Sequence, residues 1–278
     1  MTGTPTNSAG SPADGADELV ARLRAAGCVF AEDEAAVLRT SAADTEELER
    51  MTRLRVGGEP LEYVVGWAAF AGLRIVVEPG VFVPRRRTEL VAELALEHAL
   101  RTGAQPAVVV DLCCGAGAIG AAVLAGAARV GRYVRVVASD LDPVAVRVAR
   151  RNLESLGGEA VEGDLLTALP AALRGHIDVL AVNAPYVPTA AIALMPPEAR
   201  DHETTLALDG GPDGLELHRR IAAEAAGWLA PGGCLVIEVS EEQSAESARC
   251  FAAAGFVTQV VQDPERDATV LRAHLPAT

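Results

Sequence analysis

The stretch Val108-Val109-Val110-Asp111-Leu112-Cys113-Cys114-Gly115-Ala116-Gly117-Ala118-Ile119-Gly120 decides the fold. Its β-branched start reads as a strand buried on both faces. Gly115, Gly117 and Gly120 then fall in GxGxxG spacing, and the chain runs on into a helix through Ile119 to Leu124. Such glycines allow a tight turn and a close approach of backbone to ligand. Val134–Ala138 reads as the next strand, and Asp140 stands at its end, 20 residues after Gly120. A carboxylate there can accept hydrogen bonds from both hydroxyls of a ribose.

The motif alone fits NAD or S-adenosylmethionine. Three features favour S-adenosylmethionine. Asp111 ends the strand before the loop, where its charge suits a cationic methionine moiety and would repel a pyrophosphate. Asp164, in Gly163-Asp164-Leu165, ends a third strand and can accept from an adenine amino group. No second mononucleotide-binding half follows.

Outward from this loop, strands and helices alternate. Pro143–Leu156 reads as a helix with Asp142 as its N-cap. Ala160-Val161, Ile177–Val182 and Cys234–Val239 read as further strands, with helices at Leu215–Trp228 and Gln243–Ala254. Phe256–Val261 and Thr269–Leu275 have no helix between them, so they predict an antiparallel edge. The whole predicts a mostly parallel sheet covered on both faces: a seven-stranded, Rossmann-like α/β methyltransferase fold over residues 88–278. Upstream, 1–15 reads as a disordered tail and 16–58 as a small helical domain. Residues 59–87 read as a β-hairpin linker, with Val64-Val65, Ile75–Val77 and Val81–Val83 as β-rich runs and Trp67 as core.

Composition narrows the function. The net charge of −14 disfavours free nucleic acid as substrate. No apolar run nears the roughly 18 residues that span a bilayer, and no leader pattern opens the chain. These features predict a cytoplasmic protein, taken as a monomer. The five cysteines include no CxxC pair and the histidines show no metal spacing, so no metal is expected.

Val182-Asn183-Ala184-Pro185-Tyr186 closes the fourth strand, where ligands of open α/β sheets bind. The nitrogen of an amide or aryl amine is a poor nucleophile because its lone pair is delocalised. A site that accepts both N–H bonds, through the Asn183 side-chain oxygen and the Ala184 carbonyl, orients that lone pair. Pro185 fixes the turn and Tyr186 can stack on the planar group. Methyl transfer then needs positioning and desolvation more than a strong base.

With these residues the chain resembles the HemK/PrmC-like protein-glutamine methyltransferases, which modify the glutamine of a GGQ motif in peptide release factors. The resemblance runs from about Glu59 to the C-terminus. It includes Gly58–Gly66, Phe82-Val83-Pro84-Arg85 with Thr88-Glu89, the Asp111–Gly120 loop, Asp140, Asp164, Asn183–Tyr186 and Glu203. It implies S-adenosylmethionine as cofactor, held by Phe82, Asp111, Cys113, Gly115, Gly117, Ile119, Asp140, Leu141, Asp164, Leu165 and Asn183. It implies a protein partner, a release factor, whose glutamine meets Arg85, Thr88, Asn183, Pro185, Tyr186 and Glu203, with Asn183–Tyr186 as the catalytic segment. Three departures mark a diverged branch: Ala184 for the first proline of the usual motif, Arg87 for an acid, and a short helical N-terminal segment. N-methylation of adenine or of a small-molecule amide is the alternative chemistry, and a cofactor-binding protein without turnover is the non-enzymatic one. The long loop over 187–213 reads as structureless and substrate-contacting, and Glu238 as an orienting group.

Overall fold

The computed structural model describes residues 12–276. The chain divides into two compact units, one ending at Gly66 and the other beginning at Trp67. Most of the stretch read as a tail lies outside the described residues, but helix α1 (Pro12–Ala25) starts within it. Proline, with its fixed φ, suits a first helical turn.

The first unit continues with α2 (Ala31–Ser41), α3 (Thr45–Val56) and α4 (Leu61–Val65). Leu19, Leu23, Ala35, Leu38, Met51 and Val64 form its core. Asp44 caps α3, its carboxylate accepting from Glu47 N at 2.8 Å, while the Glu47 carboxylate accepts from Ala43 N. A buried ion pair, Arg55 to Glu34 at 2.6 Å, joins α3 to α2. Val64-Val65 is therefore helical rather than extended. Burial of Val64 in a helical core outweighs its β-propensity, and Gly66, at φ +78°, ends the helix.

The second unit opens with a hairpin, β1 (Trp67–Phe70) against β2 (Leu73–Val76). Trp67 is only half-buried and lies under the Arg74 guanidinium at 4.3 Å, rather than in the core. Val81–Val83, expected as a strand, makes no ladder beyond a bridge from Gly80 to Glu203. Val81 and Val83 are apolar because they are buried.

Seven strands follow: β3 (Ala107–Leu112), β4 (Val134–Asp140), β5 (Glu159–Glu162), β6 (Ile177–Val182), β7 (Leu229–Glu238), β8 (Val257–Asp263) and β9 (Ala268–His274). They stand in the order β5-β4-β3-β6-β7-β9-β8, with β9 antiparallel to both neighbours. This is the class I S-adenosylmethionine-dependent methyltransferase fold. The helices between strands include α5 (Glu89–Arg101), α6 (Ala118–Arg129), α7 (Pro143–Leu153), α8 (Pro197–His202), α9 (Thr205–Leu208), α10 (Glu216–Ala225) and α11 (Ser244–Ala253).

Strand order reverses between β3 and β6, which opens a crevice at their carboxyl ends. Register decides what reaches it. Leu112 pairs with both Ser139 and Val182. The next residues, Cys113, Asp140 and Asn183, therefore emerge side by side at the strand tips.

Gly117 shows why the loop needs glycine. Its φ is +75°, and an added Cβ would lie 3.1 Å from the Ala149 Cβ of α7. Gly131 has φ +67° but open space around it. Gly117→Ala is expected to cost about 2–5 kcal/mol, combining left-handed strain of about 1–2 with overpacking of about 1–3. Gly131→Ala is expected to cost only the first part. Denaturant midpoints of the two variants check this, and equal losses would contradict it.

Candidate active site

A cavity of about 550 Å³ occupies the crevice, a size suited to a small ligand. One wall is the turn after β3, with Cys113, Gly115 and Ile119 facing the space. Cys113 and Gly115 both take positive φ, 56° and 52°. Burial pushes the thiols of Cys113 and Cys114 well above their ordinary range, so neither is a ready nucleophile. The tips of β4 and β5 add Asp140, Leu141, Asp164 and Leu165.

Asp140 is central. Its Oδ2 accepts from Gly115 N at 2.8 Å and its Oδ1 from Asp142 N at 2.9 Å. Burial raises its pKa and the backbone amides oppose the rise. Each oxygen keeps a lone pair for a ligand hydroxyl.

Asp111 and Gly117 lie elsewhere. Neither lines the cavity. Asp111 is one residue short of the strand tip, fully buried, and its Oδ2 accepts from Gly120 N at 2.8 Å. Burial lifts its carboxyl pKa to about 8, against the pull of the Gly120 amide. Asp111, expected to face a methionine moiety, stands behind the cavity lining, where its carboxylate pins the start of α6. Its Oδ1 has no partner among the described residues. Gly117 serves helix packing, as described above.

The cavity is also lined by Asn183, Ala184, Pro185 and Tyr186 with Phe82, Arg85, Arg87, Thr88 and Glu203. Asn183 Nδ2 donates to the buried Thr88 Oγ1 at 3.3 Å, which fixes the side-chain amide and leaves Oδ1 to accept. Thr88, expected at the substrate, thus also orients Asn183. The Tyr186 hydroxyl donates to Glu238 Oε1 at 2.9 Å, and Arg87 Nε donates to the same oxygen at 3.0 Å. Burial and the neighbouring Glu238 carboxylate push the phenol pKa up, so Tyr186 is a fixed ring and not a base. Arg85 pairs with the buried Glu203, which also accepts from Val83 N at 3.3 Å, and its guanidinium lies 5.2 Å from the Phe82 ring.

The loop over 187–213 is not structureless. A 3₁₀ stretch (Thr189–Leu194), α8 and α9 occupy it, and Glu203–Asp209 line the cavity. Three other residues, Gln243, Leu217 and Arg220, escaped the sequence. Gln243 Nε2 donates to the Tyr186 and Asp213 carbonyls at 3.0 and 2.9 Å. Gly214 lets the backbones meet, since its Cβ would sit 2.2 Å from the Tyr186 oxygen. The Gly210-Gly211-Pro-Asp-Gly214 turn signal marks that approach. Leu217 and Arg220 on α10 also line the cavity. Among the described residues no cluster could hold a metal, and no helix is long and apolar enough to cross a membrane.

The chain is similar to known methyltransferases. A family model described as Methyltransferase small domain matches residues 72–195. The chain is 41% identical over 192 residues to the release factor glutamine methyltransferase of Streptomyces coelicolor, covering 69% of this chain and 66% of that one. It is 36% identical over 213 residues to the enzyme of the same name from Geobacter sulfurreducens, covering 76% and 71%. The chain belongs to the release factor glutamine methyltransferase family. This family member is also 38% identical to a 4-amino-L-phenylalanine/4-methylamino-L-phenylalanine methyltransferase of Streptomyces pristinaespiralis, over 73% of this chain and 68% of that one. Among solved structures, the T. thermophilus 16S rRNA N2 G1207 methyltransferase in complex with AdoMet and guanosine shares the fold. Its TM-score is 0.52 at 20% identity, covering 76% of this chain and 50% of that one.

The protein is therefore an S-adenosylmethionine-dependent methyltransferase. Its cavity fits that cofactor: the volume, the open turn at Gly115 and the Asp140 carboxylate suit a nucleoside.

Thr88→Val removes the acceptor that holds Asn183. It is expected to lower kcat about 2–10-fold, the worth of one hydrogen bond of about 0.5–1.5 kcal/mol, with cofactor affinity unchanged. Kinetics at saturating cofactor beside calorimetric titration tests it; an unchanged kcat would contradict the orienting role.

Proposed function

We propose that the enzyme methylates the side-chain amide nitrogen of a protein glutamine, in the GGQ motif of a peptide release factor. The observation that carries this is the meeting, in one cavity, of the Asp140 tip with Asn183 held by Thr88. Asp140 binds the ribose, Asp164 the adenine edge, and the turn at Cys113–Gly115 the rest of the cofactor, with Phe82, Ile119, Leu141 and Leu165 as apolar contacts. When bound, S-adenosylmethionine supplies an electrophilic methyl carbon whose S–C bond breaks as the N–C bond forms.

Everything else falls to the chain. Asn183 Oδ1 and the Ala184 carbonyl accept the two amide N–H bonds and aim the lone pair. Tyr186, held by Glu238 and strapped by Gln243, packs on the flat amide. Arg85 and Glu203 stiffen the wall beside the acceptor. Most of the rate then comes from orientation and dryness. The departing proton goes to water, since the phenol of Tyr186 is engaged with Glu238. The enzyme works as a monomer in the cytoplasm, where the five free cysteines are ordinary reduced thiols.

A second acceptor class is an aromatic amine. The similarity to the 4-amino-L-phenylalanine methyltransferase supports it, and an aryl amine offers the same flat nitrogen with two N–H bonds.

Asn183→Ala is expected to lower transfer about 10²–10³-fold, as for loss of one fixed polar group, with cofactor affinity nearly intact. Asp140→Ala is expected to weaken cofactor binding by on the order of 1.5–3 kcal/mol. Calorimetry and single-turnover assays separate the two; parallel loss of binding and transfer in Asn183→Ala would overturn its role.

With labelled cofactor, the release factor is expected to take the methyl group and its glutamine-to-alanine form to take none. Transfer to 4-aminophenylalanine and not to the release factor would instead select the second class.

A further inference from the structure

Arg220 on α10 donates from Nη2 to Asp164 Oδ2 at 2.6 Å, and both residues line the cavity. Their side chains are 42% and 47% exposed. An ion pair this open contributes only about 0–1 kcal/mol to stability, so folding gives little reason for it. Among the described residues no other side chain donates to the Asp164 carboxylate, and no other carboxylate pairs with Arg220. One acceptor and one donor therefore stand side by side on the cavity wall. Each has capacity left: three or more lone-pair sites on the carboxylate, four N–H bonds on the guanidinium. Leu141, half-exposed, and Leu165 supply apolar surface nearby.

Adenine offers the complementary pair. Its 6-amino group donates, and the ring nitrogen beside it accepts. Hypoxanthine carries an oxygen at position 6, which would face the carboxylate acceptor to acceptor. Guanidinium also suits such an edge because its donors are planar and always charged.

We propose that Arg220 is a specificity-determining residue for the cofactor's base. With Asp164 it reads the amino-and-ring-nitrogen edge of adenine. Arg220 donates to the ring nitrogen and holds the Asp164 carboxylate to accept from the 6-amino group. The proposal rests on the assignment of Asp164 to the adenine edge made above. The role of Arg220 is local to recognition of the base: it leaves the ribose contact at Asp140 and the acceptor wall at Asn183 untouched.

The test is calorimetric and needs no turnover. The full chain is titrated with S-adenosylhomocysteine and with S-inosylhomocysteine. The wild-type protein is expected to prefer the adenosyl compound by about tenfold or more, the worth of a charge-assisted hydrogen bond. Arg220→Met, which keeps the apolar stem, is expected to narrow that ratio to about threefold or less by weakening the adenosyl compound. Arg220→Lys, which keeps a donor, is expected to retain most of the preference. Asp164→Ala is expected to narrow it as well. Unchanged melting temperatures keep the comparison within folded protein. A ratio unchanged in Arg220→Met but narrowed in Asp164→Ala would overturn the role of Arg220 and leave Asp164 at the adenine. A ratio unchanged in both, or no preference in the wild-type protein, would overturn both assignments.

Discussion

The hydrogen bond from the Gly115 amide to the Asp140 carboxylate, 2.8 Å long, organises this molecule. It ties the turn after β3 to the tip of β4, joining two strand ends. Its partner, from Asp142 N at 2.9 Å, aligns the carboxylate with the start of α7. Gly117, left-handed and without a Cβ, lets α7 pack directly against the turn. A carboxylate held by two backbone amides is fixed before any ligand arrives, which lowers the cost of binding. Strand register then brings Asn183 to the same crevice, and the cofactor half and the acceptor half of the site share one cavity.

The acceptor half depends on a different device. Two buried carboxylates, Glu203 and Glu238, are each matched by an arginine from the short stretch Arg85–Arg87. Burying a carboxylate is costly unless it is paired, and here the pairs do positional work. Glu203 anchors the segment at Val83, and Glu238 holds both Tyr186 and Arg87. Arg87 replaces the acid expected in this stretch, and its pairing with Glu238 gives the change a structural place. Ala184 is almost fully buried and lines the cavity where proline is usual.

Strand-end positions were the most legible part of the sequence. Val108–Leu112 and Ile177–Val182 are runs that only a buried strand explains, and the residues after them necessarily reach the crevice. Counting along the strands therefore predicts that Asp140, Asp164 and Asn183 reach the crevice, and all three line the cavity. Asp111 is less legible, because it lies within β3 rather than beyond its tip and its carboxylate turns to the Gly120 amide. Val64-Val65, β-rich in sequence, is helical because tertiary burial overrides β-propensity. The pairs Arg87–Glu238 and Arg220–Asp164 span 151 and 56 residues. No local pattern marks such contacts, and only the fold brings them together. The loop over 187–213 hid its short helices because few of its residues repeat at helical spacing, while the glycines at 210, 211 and 214 announced only a turn.

The most direct test is a crystal structure of the protein with S-adenosylhomocysteine and a peptide carrying Gly-Gly-Gln. The account predicts the glutamine nitrogen hydrogen-bonded to Asn183 Oδ1 and the Ala184 carbonyl, facing the sulfur across the space of one methyl group, with reacting atoms about 3–3.5 Å apart in the methylated cofactor. A glutamine bound away from Asn183, or a nucleoside whose ribose does not meet Asp140, would contradict it.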